Sequence, residues 1–285
     1  MKRHALYLVA ASAVLAGCNH SGSSTSTASV APTTVTTTAP VVSAMRGGTT
    51  ALAGQDVELI AEGDTVRLAY AQGGPVVYTD PDFVGPGTAY DTRTGSYGTM
   101  TAYRNGAERL RVIEGQYARL AIAADDDADR THMVAHGAID PAAPAPMGLT
   151  GTATYSGIYS GQLKDTVGDY NVEGDVSLTA DFDASTISGR IDGIKLASGG
   201  TVTATDATIE LTGGIIAGST YNGVATVTRE GNAWNTVGPT GRERFEGEFH
   251  GDQAQETVGT VTVVGTDPVL GESHTIGGFM ANRQP

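Results

Sequence analysis

From about residue 150 onward, apolar and polar side chains alternate with a period of two in one short segment after another. Val176, Leu178, Ala180 and Phe182 alternate with Ser177, Thr179, Asp181 and Asp183. Phe245, Gly247, Phe249 and Gly251 alternate with Glu246, Glu248 and His250 in the same way, and Val66, Leu68 and Tyr70 do so against Thr65, Arg67 and Ala69. In an extended backbone this spacing sends every second side chain to the same face, so each segment predicts an antiparallel strand with one buried and one wet side. Helical periodicity is scarce.

Turn signals separate the segments at Asp183 to Ser185, Ser198 to Gly200, Gly213 and Gly214, Glu230 to Asn232, Gly238 to Gly241 and Gly265 to Pro268. From Tyr155 onward the spacing gives about eight strands joined by tight connections, which suits a closed up-and-down barrel without exposed edges. A two-sheet sandwich has the same spacing. Asp140 to Pro146, with Pro141, Pro144 and Pro146 among alanines, interrupts any regular element and marks a domain boundary. Before it, strands are expected near Val57, Val66, Val76, Met100, Leu110 and Leu120. The predicted fold class is therefore all-β: a small β-rich domain at 48–146, followed by an eight-stranded antiparallel barrel at 147–285.

The N-terminus has the layout of an export signal. Lys2 and Arg3 precede an apolar run from Ala5 to Leu15, too short to cross about 30 Å of hydrocarbon. Leu15, Ala16, Gly17 and Cys18 then resemble a bacterial lipobox. Residues 1–17 are expected to be removed, and the Cys18 thiol to carry the diacylglycerol. Acylation, palmitate included, anchors at about 0.8 kcal/mol per buried CH₂. Cys18 is the single cysteine, so the chain has no internal disulfide. Residues 18–47 are dominated by Ser, Thr, Ala, Val and Pro and read as a disordered tether. Asn19 after the lipidated cysteine points to the outer membrane, on its periplasmic or cell-surface face. Losing Lys2 and Arg3 takes 17 basic side chains to 15 against 31 acidic ones, a formal charge of about −16. That balance disfavours nucleic acid and anionic lipid surfaces as partners.

Arrangements that carry bond chemistry are missing from the sequence, and no enzymatic activity or cofactor is expected. There is no Gly-x-Ser-x-Gly elbow and no cysteine pair. Gly85, Pro86 and Gly87 open like a dinucleotide loop, but Tyr90 occupies the place of the third glycine. Asp125, Asp127 and Asp129 have calcium-loop spacing, yet Arg130 stands where glycine is needed and His136 where a bidentate Glu belongs. Asp181 and Asp183 lie on the wet face of their strand and make a poor catalytic pair. His132 and His136, four apart, are weak candidates for a metal or haem site, since a helix or a strand would turn both to one side. Tyr170 and Trp234 flank polar turns and are the candidate aromatic anchors for a partner.

Several of these stretches resemble one family. Thr152, Ala153, Thr154, Tyr155, Ser156 and Gly157, with Gly161 after them, resemble the opening barrel strand of transferrin-binding protein B and related surface lipoproteins. Phe245, Gly247, Phe249, His250 and Gly251 resemble the family's Gly-x-Phe-aromatic-Gly strand, and Glu256, Gly259, Gly277, Gly278 and Phe279 follow in its order. The resemblance implies a handle domain before the barrel, glycines that let strands bend on the inward face, and phenylalanines 182, 245, 249 and 279 filling the interior. It also implies a monomeric, non-enzymatic solute-binding lipoprotein of iron acquisition that captures a protein or an iron- or haem-bearing ligand. Transferrin-binding protein B has two lobes; this chain carries one and lacks the long loops. The competing expectation is a structural envelope lipoprotein with no solute ligand.

Overall fold

The structure is a computed structural model and describes residues 41–285 apart from 49–54, 63–64, 71–75, 79–88, 96–97, 106–107, 126–131, 141, 144–145, 147, 167, 199–200, 237–242 and 268–270. The leader, Cys18 and most of the expected tether lie outside the described residues, as does the Asp127 and Asp129 stretch. All regular elements among the described residues are strands.

The first nine strands are β1 (Val41–Gly48), β2 (Gln55–Glu62), β3 (Thr65–Tyr70), β4 (Val76–Tyr78), β5 (Ala89–Gly95), β6 (Gly98–Asn105), β7 (Glu108–Glu114), β8 (Ala118–Asp125) and β9 (His132–Ala138). They form one antiparallel sheet in the order β4-β3-β2-β1-β9-β8-β7-β6-β5. It curls until β4 lies against β7 and β8, so the sheet is nearly closed. We call it the handle. Strand β1 begins inside the span 18–47 expected to be tether. Its residues pair along nearly their whole length with β2, and Met45 is buried in the handle core, so the sheet claims the end of that span.

Strand β8 explains the handle's shape. Ala121 and Ala123 point into the handle core with Met45, Val57, Leu59, Leu68, Leu110 and Met133, while Leu120 and Ile122 are buried on the opposite face. Burial on both faces is why Leu120 to Ala124 reads as a continuous apolar run.

The remaining strands are β10 (Thr152–Lys164), β11 (Asp169–Asp181), β12 (Thr186–Ser198), β13 (Thr201–Ala204), β14 (Thr208–Ala217), β15 (Thr220–Arg229), β16 (Asn232–Ala233), β17 (Asn235–Thr236), β18 (Arg244–His250), β19 (Glu256–Asp267) and β20 (Gly271–Arg283). Eight long ones pair in chain order, β10-β11-β12-β14-β15-β18-β19-β20, and β20 returns to β10. The sheet is a closed up-and-down barrel, as the turn spacing predicts, and not a sandwich. Gly213 and Gly214 are not a turn. They sit within β14 where its register with β15 shifts between Thr212 and Ile215, a bulge that bends the strand.

Inside the barrel, Tyr155, Tyr159, Tyr221, Phe245, Phe249 and Phe279 are fully buried. The Phe249 ring centroid lies 4.9 Å from Tyr221 and 5.7 Å from Tyr155, and the half-buried Phe182 meets it edge-on at 5.2 Å. Rings this large fit a narrow barrel because glycines face them: a Cβ at Gly277 would collide with the Tyr159 ring. The phenol groups are satisfied inside the wall. Tyr155 donates to the Ala254 carbonyl at 2.9 Å, Tyr159 to Thr275 Oγ1 and Tyr221 to Thr257 Oγ1, and both threonines pass their own protons to backbone carbonyls.

One side of the barrel is finished differently. Strand β18 meets β15 only from Thr220 to Gly223, so β15 runs on past it to Arg229. Residues 232–236 fill the resulting gap, with β16 paired to β15 and β17 paired to β19. Trp234 points inward from this wedge, its backbone N–H on the Val227 carbonyl at 2.9 Å and its indole Nε1 on Asp267 Oδ2 at 3.0 Å.

Candidate functional site

Handle and barrel belong to one compact unit, Thr38–Pro285. Ile113, Leu120, Ile122 and Val134 of the handle pack on Val258, Ile276 and Met280, which lie on the outer faces of β19 and β20. Both faces of these two barrel strands are therefore buried, one by the barrel core and one by the handle.

Polar contacts fix the register of this junction. The Glu256 carboxylate, 4 % exposed, accepts three backbone N–H bonds from the turn between β7 and β8: from Gln116 at 2.6 Å, Tyr117 at 2.8 Å and Ala118 at 2.9 Å. Hydrogen bonds to an ionised acceptor are about twice as strong as neutral ones. Gly115 makes the approach possible, since a Cβ there would stand 2.6 Å from both Glu256 oxygens. Arg111 Nη1 adds a bond to Ser160 Oγ at 3.1 Å.

Beside this turn, Glu248 Oε1 lies 3.3 Å from Nδ1 of His136 in β9, and Glu248 Oε2 lies 3.9 Å from Nε2 of His250. Burial opposes ionisation of Glu248. The His136 imidazole beside it, helped by His250 and Arg46, outweighs that and holds its carboxyl below the usual carboxylate range. Burial pushes the His250 imidazole below its ordinary value, in part against the pull of Glu248.

A groove of about 270 Å³ opens where the handle overhangs β10 to β12. Met100, Ile113 and Ile158 make its apolar wall, and Glu173, Asp175 and Lys195 its charged lip. The recess arises from a register shift between β11 and β12 at Glu173 and Asp175. Clefts between domains are frequent ligand sites, and drug-sized ligands occupy roughly 300–1,000 Å³. This groove lies just below that range. The barrel interior is fuller still, with a cavity of about 30 Å³ under Trp234, enough for about one or two waters.

The residues singled out from sequence fall in different places. Trp234 is 5 % exposed and works as a stopper in the barrel wall, so it is not an exposed anchor. The polar turn beside it misled, because the gap that it fills exists only once the barrel closes. Tyr170 is half-buried and packs on the barrel core. His136 is buried in the junction, while the side chain of His132 lies outside the described residues. No group of three metal-ligating side chains converges among the described residues. Glu248 and the groove lip were not singled out. Their one trace in sequence is β19, where Thr257 to Val264 carries no charged side chain, in keeping with a strand covered on both sides.

Residues 147–283 match the family model described as the C-lobe and N-lobe beta barrels of Tf-binding protein B. No curated protein matches the chain. Among solved structures, the isotype 1 transferrin binding protein B of serogroup B Neisseria meningitidis is similar at 17% identity and a TM-score of 0.47, over 86% of this chain and 44% of that one. The transferrin binding protein B of Haemophilus parasuis Hp5 is similar at 15% identity and a TM-score of 0.44, over 86% and 45%. The haemoglobin receptor HpuA from Kingella denitrificans is similar at 13% identity and a TM-score of 0.43, over 88% and 89%. The chain spans less than half the length of these two transferrin binding proteins. Residues 147–283 thus form a closed eight-strand barrel with an aromatic interior, and it is this barrel that is similar to the barrels of Tf-binding protein B.

Proposed function

We propose that the protein is a non-enzymatic, monomeric binding lipoprotein, anchored through acylated Cys18 to the outer membrane, which captures a protein ligand that carries iron or haem. The observation that supports this most is the contrast between a barrel filled with aromatic side chains and an open two-domain groove on its flank. A ligand as large as haem has no room inside the barrel, so recognition belongs to the outer surface, by shape and charge. Transferrin follows from the family name and haemoglobin from the matched receptor, and both are first candidates.

Surface plasmon resonance of the purified chain against iron-loaded transferrin, haemoglobin and free haemin tests the reading. Saturable binding of one protein is expected, and the double substitution Met100→Glu with Asp175→Arg should weaken it at least about tenfold, or about 1.4 kcal/mol. Binding of none of the three would sink capture and favour the structural envelope role. Binding that ignores the double substitution would move the site off the groove.

A further inference from the structure

The junction holds ionisable groups that ligand capture does not use. His136 comes from the handle and His250 from the barrel; they are 2 % and 7 % exposed, and both stand over one carboxylate, Glu248. Neither ring nitrogen of His136, nor Nε2 of His250, makes an aligned hydrogen bond. Arg46 in β1 and Glu256 in β19 are the other charges facing the pair, and the Glu256 oxygens are already engaged by the three N–H groups of the β7–β8 turn. We propose that the handle–barrel junction is an acid-sensitive latch, docked while His250 is neutral and loosened when His250 gains a proton beside the His136–Glu248 pair.

A protonated His250 would then compete with His136 for one carboxylate away from water, beside Arg46. A charge buried without full pairing is costly, and moving the handle away hydrates it. The sign agrees with the shift at His250. Burial first, and His136 after it, hold that imidazole below its ordinary value of 6.5. Its neutral form is thus favoured by docking, which is strongest above that value and weakens as pH falls through and below it.

The backbone amides of Gln116, Tyr117 and Ala118 report docking directly, because their hydrogen-bond partner sits on the barrel. Hydrogen exchange of these amides in the full chain, corrected for intrinsic rates, is compared at about pH 7.5 and about pH 5, with Val176 to Ala180 in the barrel wall as control. Protection at 116–118 is expected to drop at least about tenfold at the lower pH while the control holds, and the drop should vanish in His136→Gln with His250→Gln. A drop of the same size in the double variant, no drop in the native chain, or parallel loss at 176–180 would each overturn the latch. If the double variant does not fold, Glu248→Gln replaces it: removing the shared carboxylate should move loosening to higher pH, and an unchanged profile overturns the proposal.

Discussion

Glu256 ties two domains together with one side chain. Its carboxylate accepts three N–H groups from the turn between β7 and β8, and Gly115 leaves the space it needs. Truncation would leave those donors partly buried and unpaired, at about 1–3 kcal/mol for each buried one. Glu256→Ala is therefore expected to cost about 3–5 kcal/mol in urea unfolding, and Glu256→Gln, which keeps one acceptor oxygen and the volume, clearly less. A loss below about 1 kcal/mol for the alanine variant would mean that the apolar contacts alone hold the junction. Apart from its place in the family resemblance, the sequence gives little notice of such a residue. An acid at the start of a strand looks like a solvated end, and its partners come from a turn on the other sheet. The pairing of His136 with Glu248 was hidden for the same reason, since each sits in a locally unremarkable strand and only the docking of β9 on β18 brings them together.

Strands with one wet face were legible. The alternation in β11 and β18 places Val176, Leu178, Phe245 and Phe249 inward as the period of two requires, and all six segments expected in the first domain are strands. Strands with two dry faces, and strands that complete a gap, were not: β8 loses its alternation to burial on both sides, β19 keeps a Thr/Val alternation although both faces are covered, and β16 and β17 exist only to bridge β15 and β19. The glycines belong to this scale as well. Gly277 is set by the Tyr159 ring that covers it, so adding a methyl group should force the ring or the β10–β20 ladder to shift. Gly277→Ala is expected to destabilise the barrel by about 1–3 kcal/mol, and Tyr159→Leu in the same chain to recover part of that loss. Simple additivity of the two in thermal or urea unfolding would show that ring and glycine are not coupled.

At the scale of the molecule, the barrel's stability is linked to phenol groups held away from water. Burial pushes Tyr159 up to about 12 and drives Tyr155 and Tyr221 upward as well, each from an ordinary value of 10.0. Below pH 10 these groups are protonated in folded and unfolded chains alike and contribute no pH dependence. Above it the unfolded chain releases its protons first, so the folded state loses up to about 1.4 kcal/mol per pH unit for each tyrosine until its own raised value is reached. Three such groups acting together make the slope steep. Absorbance at 295 nm should therefore show a late ionisation step, above the ordinary phenol range, that coincides with loss of the β circular-dichroism signal. Tyr159→Phe removes one proton from that step and should move it to higher pH, provided that the lost bond to Thr275 costs less than the linkage it relieves. A single smooth titration of all tyrosines in a chain that stays folded would contradict the sealed aromatic interior, and with it the inference that ligands are met only on the outer surface.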